Sequence, residues 1–163
     1  MTDQYQNPYL DSSVFIAWIK GEVANGEDRK DIADHILGLA EKGTFRINTS
    51  AFTLAEVHKK KGSGLPKLDP AEDEMILAFF EHDFFNIIDV TREIGEHANQ
   101  LCRQYPLSPP DAIHLACALR AKCDVLLAWD DRLTAVNHPQ IRTEPPQKIG
   151  QLNLLENLPQ ETG

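Results

Sequence analysis

Four acidic residues sit where an apolar stretch is closed or interrupted. They are Asp11 in YLDSSVFIAW, Glu56 in SAFTLAEVHK, Asp111 in LSPPDAIHLACAL and Asp130 in VLLAWD. An ionised carboxylate buried without a partner is costly, so each needs one. If the four converge, repulsion is large: two like charges ~4 Å apart cost about 4 kcal/mol at an effective dielectric of about 20. A cluster of that kind persists when it holds a cation, and a set of oxygen donors selects Mg²⁺ or Mn²⁺. The chemistry it supports is metal-assisted attack of water on a phosphodiester.

Each acid also has a plainer role open to it. Asp11 can cap the helix that follows, although Ser12 and Ser13 can do so without a charge. Asp111 lies three residues after Ser108, in the form of a capping box. Glu56 can pair with Lys60 four residues on. Asp130 can cap a short helix opening at Asp131. A fifth acid, Asp89, closes the strand-like FFNIID and can cap the helix opening at Thr91. The four share apolar flanks, and Asp89 stays a further candidate on the residues alone.

The elements that would position these acids follow from apolar spacing. Pro8-Tyr9-Leu10 reads as a short buried strand, and Val14, Phe15, Trp18 and Ile19 have helical spacing. A second helix spans about Asp28 to Glu41, with Gly43 in the position that ends helices. TFRINTS reads as a strand, SAFTLAEVHKK as a helix and KKGSGLPKLDP as a loop. AEDEMILAFFEHD is helical, with Met75, Ile76, Phe79 and Phe80 on one face, and FFNIIDV is a strand. TREIGEHANQLCRQY and SPPDAIHLACALRAKC are helices, the latter capped by Ser108 with prolines in its first turn. DVLLAWD is a continuous buried strand and QIRTE a weaker one; PQKIGQLNLL is expected to form a short helix. Alternating helices and continuous apolar strands indicate an α/β fold, a parallel sheet covered on both faces. Ligands of such sheets bind outside the carboxyl ends of the strands.

The 163 residues suit a single domain, and 42% hydrophobic with 25% charged residues argues against disorder. The opening MTDQYQNPYLD lacks a basic and apolar leader pattern, and no apolar run approaches bilayer length. A cytoplasmic protein is expected. The cysteines, Cys102, Cys117 and Cys123, match no zinc spacing and read as reduced, mostly buried thiols. A net charge of −9 argues against binding that rests on a broad basic surface, but not against a nuclease whose positive charge is supplied locally.

Taken in order, these stretches resemble the PIN domains, and within them the VapC-type ribonuclease toxins of bacterial toxin–antitoxin pairs. YLDSSVFIAW resembles the first strand and its Asp-Ser turn, and SAFTLAEVHK the segment carrying a Glu. LSPPDAIHLACAL is close to the Asp-Ala-Ile-His-Leu-Ala signature, LLAWDDRL to a strand-end Asp motif, and IRTEPPQKIGQL to the last strand and a Pro-led helix. The resemblance implies a three-layer α/β/α fold with a parallel sheet of order 3-2-1-4-5. That order places Asp11 and Asp130 side by side at the switch point and leaves Asp89 at an edge. The chain is then one PIN-like domain over 1–163, with a short extension at about 1–7 and a tail at about 144–163.

The resemblance also implies function. Asp11, Glu56, Asp111 and Asp130 would be both the metal ligands and the catalytic acids, with Ser12 or Ser13 as hydrogen-bonding support. The activity would be a Mg²⁺- or Mn²⁺-dependent endoribonuclease, with RNA as substrate, a small antitoxin as partner and a homodimer as assembly. The alternative is a PIN-fold RNA-binding or assembly module with weak or no cleavage. Ala128 stands where the family usually has Thr or Ser, which is expected to remove a hydroxyl from the site rim; Leu133 stands in place of Phe. Lys59, Lys60 and Lys61, in the densest basic run, are candidate RNA contacts, as is Arg132. The plainer reading of the lysines is a solvated helix end. His114, Trp18 and Trp129 read as packed residues of apolar elements.

Overall fold

A computed structural model describes residues 5–57 and 70–148. Its elements are β1 (Pro8–Leu10), α1 (Ser12–Lys20), β2 (Val23–Ala24), β3 (Glu27–Asp28), α2 (Arg29–Glu41), β4 (Ile47–Ser50) and α3 (Ala51–Glu56). There follow α4 (Pro70–Phe79), β5 (Phe85–Ile88), α5 (Arg92–Gln104), α6 (Pro109–Arg120), β6 (Val125–Leu127), α7 (Asp131–Thr134) and β7 (Arg142–Glu144). Five strands form a parallel sheet in the order β5-β4-β1-β6-β7. Counting that sheet's strands alone along the chain, the order is 3-2-1-4-5.

Strand alternation divides the core. Leu10, Ile47, Phe85, Val125 and Leu127 face one cluster, with Val14 and Phe15 of α1 and Ile32, Ala33, Ile36, Leu37 and Ala40 of α2. Tyr9 and Leu126 face the other, with Ile94, Ala98 and Leu101 of α5 and Ala112, Leu115 and Ala116 of α6. Side chains two apart on a strand share a face, so an uninterrupted apolar strand feeds two cores. Helices therefore cover both faces, giving the expected three layers.

The helix stops follow local chemistry. Gly43, just past α2, adopts φ 85, a conformation that side chains with a Cβ disfavour. Ser108 caps α6, with proline in its first turn. Thr91, not Asp89, caps α5: its hydroxyl accepts from the Ile94 amide at 3.3 Å. Met75 does not join the apolar face assigned to it. It is 73% exposed, whereas Phe80, just past α4, is buried and Ile76 and Phe79 pack against the first core. A small antiparallel ribbon, β2 with β3, was not expected from the sequence. The loop 59–69 and most of the terminal helix expected in PQKIGQLNLL lie outside the described residues.

One polar row crosses the sheet. Asn48, 3% exposed, donates through Nδ2 to Asn7 Oδ1 at 2.6 Å and to the Pro8 carbonyl at 3.1 Å. Its Oδ1 accepts from Asn86 Nδ2 at 2.8 Å. Asn7 continues the row to the Ala121 and Lys122 carbonyls at the end of α6. Asn48→Ala would leave these neighbours without their shared partner, and should cost about 2 kcal/mol in urea unfolding. A change under about 0.5 kcal/mol, the range of a neutral surface substitution, would show the row to be idle.

Candidate functional site

Asp11 follows β1 directly and Asp130 lies three residues beyond β6, so both lie at the carboxyl edge of neighbouring strands. The Asp11 amide donates to the Leu127 carbonyl at 3.1 Å, joining the two strand ends. The Trp129 amide donates to Ser13 Oγ at 3.2 Å, and Ser13 Oγ in turn donates to Asp11 Oδ1. Asp11 is itself the cap of α1, accepting from the Ser13 amide at 3.0 Å. The serines thus do not relieve it of capping, as the sequence had led us to expect. Ser13 instead supports the carboxylate. Ser12 is buried and makes no hydrogen bond to any of the four acids among the described residues.

Asp130 also caps its helix, with Oδ1 accepting from the Arg132 and Leu133 amides at 2.8 and 3.2 Å. Asp111 lies in the first turn of α6 and accepts at Oδ2 from Ser108 Oγ at 2.8 Å, while its amide donates to the same oxygen at 3.4 Å. Glu56 is the last residue of α3, and its Oε1 lies 2.6 Å from His114 Nε2. His114 Nδ1 lies 2.7 Å from the Tyr9 hydroxyl. Lys60, the other partner considered for Glu56, lies outside the described residues, as do Lys59 and Lys61. Asp89 ends the edge strand β5, away from the central pair.

A common pattern runs through the four acids. One oxygen of each is held by the protein: Asp11 Oδ1, Glu56 Oε1, Asp111 Oδ2 and Asp130 Oδ1. The second oxygen of each has no donor among the described residues. A carboxylate used only as a cap or an anchor has no need of three similar companions at one sheet edge.

The electrostatics connect them. Asp11, 4% exposed, is pushed up to about 6, first by burial; His114 and the Ser13 hydrogen bonds oppose this, and the Asp111 charge adds to it. Asp111 is raised by burial, held back by Ser108, and raised further by the charges of Asp130 and Glu56. Asp111 is thus coupled to each of the other three acids and links them into one site. No three His, Cys, Asp or Glu side chains among the described residues are gathered tightly enough to enclose an ion as they stand. Their fit to a divalent cation rests on donor type, free oxygens and mutual repulsion.

The surroundings revise other expectations. Ala128 is fully buried in the second core, so a hydroxyl there would sit on the core side of the strand rather than on the rim. Leu133 is fully buried in the same cluster, as suits an apolar replacement. Trp129 packs against the first core beneath Arg29, whose Cζ lies 5.0 Å from its ring centroid. Trp18 packs there too, and its indole N–H donates to Asp34. Arg132 is exposed on α7, next to the cap it forms through its amide. All three cysteines are free; burial pushes the thiols of Cys117 and Cys123 up to about 11 and about 12, which makes them poor nucleophiles. No helix among the described residues is long and apolar enough to cross a membrane.

A parallel sheet of this order, with acids at the carboxyl edge of its central strands, is the arrangement of a PIN domain. The PIN domain model matches residues 9–139, and the chain belongs to that family. Three solved structures share the fold. A toxin–antitoxin complex from Klebsiella pneumoniae aligns at TM-score 0.60 and 23% identity, covering 88% of this chain and 100% of that one. VapC20 of Mycobacterium tuberculosis, a sarcin–ricin loop cleaving toxin, aligns at TM-score 0.59 and 18% identity over 83% of this chain and 99% of its own. VapBC2 of Rickettsia felis, bound to a DNA fragment from its promoter, aligns at TM-score 0.57 and 15% identity over 86% and 98%. No curated protein matches the chain.

Proposed function

We propose that this protein is a Mg²⁺- or Mn²⁺-dependent endoribonuclease and the toxin of a toxin–antitoxin pair, formed as one PIN-like unit over 1–163. The observation that carries the reading is the set of four carboxylates coupled through Asp111, each anchored at one oxygen and, among the described residues, without a donor at the other. Family membership and the toxins that share the fold support it. An antitoxin partner and a cytoplasmic RNA target belong to the same proposal, as does a homodimer.

Asp11 and Asp130 would hold the metal from the two central strand ends, with Glu56 and Asp111 contributing from α3 and α6. A divalent ion bound there supplies Lewis-acid polarisation of a phosphoryl oxygen and acidifies water for attack. Ser13 and Ser108 fix the orientation of Asp11 and Asp111, so little side-chain freedom remains to be lost on binding. In a chain of net charge −9, positive charge for the RNA backbone must come locally. Arg132 and the Lys59–Lys61 run are the candidates.

The test uses protein purified free of any partner, a mixed RNA pool, and buffers with Mn²⁺, Mg²⁺ or a chelator. Cleavage with metal and none with chelator is expected. Equal cleavage in chelator would overturn the metal assignment. Absence of cleavage under all conditions would favour the second reading, an RNA-binding or assembly module. That reading draws on one observation: among the described residues no three acids are gathered into a closed shell.

A further inference from the structure

We propose that His114 is a positioning residue: anchored by the Tyr9 hydroxyl, it holds the Glu56 carboxylate in the acidic site. The inference rests on the nuclease reading above and names a residue that the four-acid description leaves out.

The need arises from where Glu56 sits. It is the last residue of a six-residue helix, and Val57 already caps that helix. A glutamate side chain there has several rotatable bonds and little backbone support. Ordering such a side chain costs up to about 2 kcal/mol. Asp11, Asp111 and Asp130 are shorter and are tied to the starts of their own helices. Among the described residues Glu56 has no such local tie. Its partner there comes from a different element, with Oε1 at 2.6 Å from His114 Nε2.

His114 is itself immobilised. It is 1% exposed, with Tyr9 edge-on at 5.8 Å and the Phe52 ring at 5.7 Å between centroids. A carboxylate can only accept, so Nε2 carries the proton in that bond. The Tyr9 hydroxyl, 2.7 Å from Nδ1, partners the remaining nitrogen and fixes the ring from its other side. The chain is built into the site's own elements. Tyr9 precedes Asp11 by two residues on β1, and His114 follows Asp111 by three on α6, one helical turn away on the same face. Thus α6 carries one acid and the anchor of another.

The test compares wild type with His114→Phe, His114→Gln and Tyr9→Phe as full chains. Mn²⁺ affinity is measured by calorimetry, and RNA cleavage is separated into kcat and KM. His114→Phe fills the space but removes the donor. It should weaken Mn²⁺ binding about 10–100-fold and lower kcat with KM for RNA unchanged. His114→Gln, whose amide nitrogen can stand near the Nε2 position, should recover affinity to within about three-fold of wild type. Wild-type affinity in His114→Phe would overturn the proposal, as would a glutamine variant as weak as the phenylalanine one. Should His114→Phe not fold, ¹⁵N correlation of the wild-type ring decides: a proton on Nε2 supports the chain and an unprotonated Nε2 overturns it. If wild type itself binds no Mn²⁺, the nuclease reading fails with it. If wild type binds and His114→Phe binds equally, only the positioning role fails.

Discussion

Asp11→Asn is expected to lower metal-dependent RNA cleavage by at least about a thousand-fold, since a bound metal contributes several kcal/mol of transition-state stabilisation and each 1.36 kcal/mol is tenfold in rate. The substitution is informative because Asp11 has two roles. It caps α1 through Oδ1, which accepts from the Ser13 amide and hydroxyl. Asparagine is as good a cap as aspartate and keeps an oxygen in that position. It removes the charge and puts an amide nitrogen, which cannot ligate a cation, in place of the free oxygen. A folded, active Asp11→Asn protein would show that the carboxylate is a cap and nothing more, and the assignment of the four acids would fall. Loss of activity with retained fold, read by circular dichroism and by an unchanged melting curve or a higher one, is the expected result. Alanine would mix the two roles and decide less.

That double role also marks the boundary of what the sequence could reveal. In the sequence, capping and ligation are rival roles for Asp11 and Asp130, yet in the fold one oxygen serves the cap and the other has no donor among the described residues. Residue types alone cannot divide a carboxylate in this way. The strands β1 and β6 were legible because continuous apolar residues must face two cores, as Tyr9 and Leu10 do. Helix α6 was legible from Ser108, two prolines and an apolar run. The order of the sheet came from family resemblance; spacing gave no access to it, because no local pattern encodes which strands pair.

Other features were hidden for identifiable reasons. The β2–β3 ribbon carries an Asn25-Gly26 turn with φ 54 and 74, the form expected of a tight hairpin. Its strands are two residues each, too short to show alternation. Met75 shares helical spacing with Phe79, yet α4 buries too narrow a stripe to include both. The Tyr9–His114–Glu56 chain joins residues 105 and 58 positions apart. An isolated histidine on an apolar helix looks like packing, and here it is packed. Only the fold shows that both ring nitrogens have partners.

The second large effect concerns pH in the absence of metal. Asp11 titrates near 3.8 in the unfolded chain and at about 6 in the fold, chiefly because burial penalises the charged form. Between those values the folded state keeps a proton that the unfolded state has released. Stability from this group therefore falls as pH rises from about 4 to about 6, and the loss is complete above that. A shift of about two units corresponds to about 3 kcal/mol, and with Asp11 buried little solvent screening reduces it. Asp111 is shifted in the same direction and adds to the trend. The clean measurement is the urea-unfolding difference between Asp11→Asn and wild type in chelator. It should be near zero at pH 4 and reach about 3 kcal/mol in favour of the variant by pH 7. Millimolar Mn²⁺ at pH 7 should then stabilise wild type and leave the variant unmoved, because ligand that binds only the folded state adds stability in proportion to the logarithm of its saturation. A difference that does not change with pH would mean that Asp11 is not held charged against its burial. The uncompensated buried charge that suits the site to a cation would then be absent at its most buried acid.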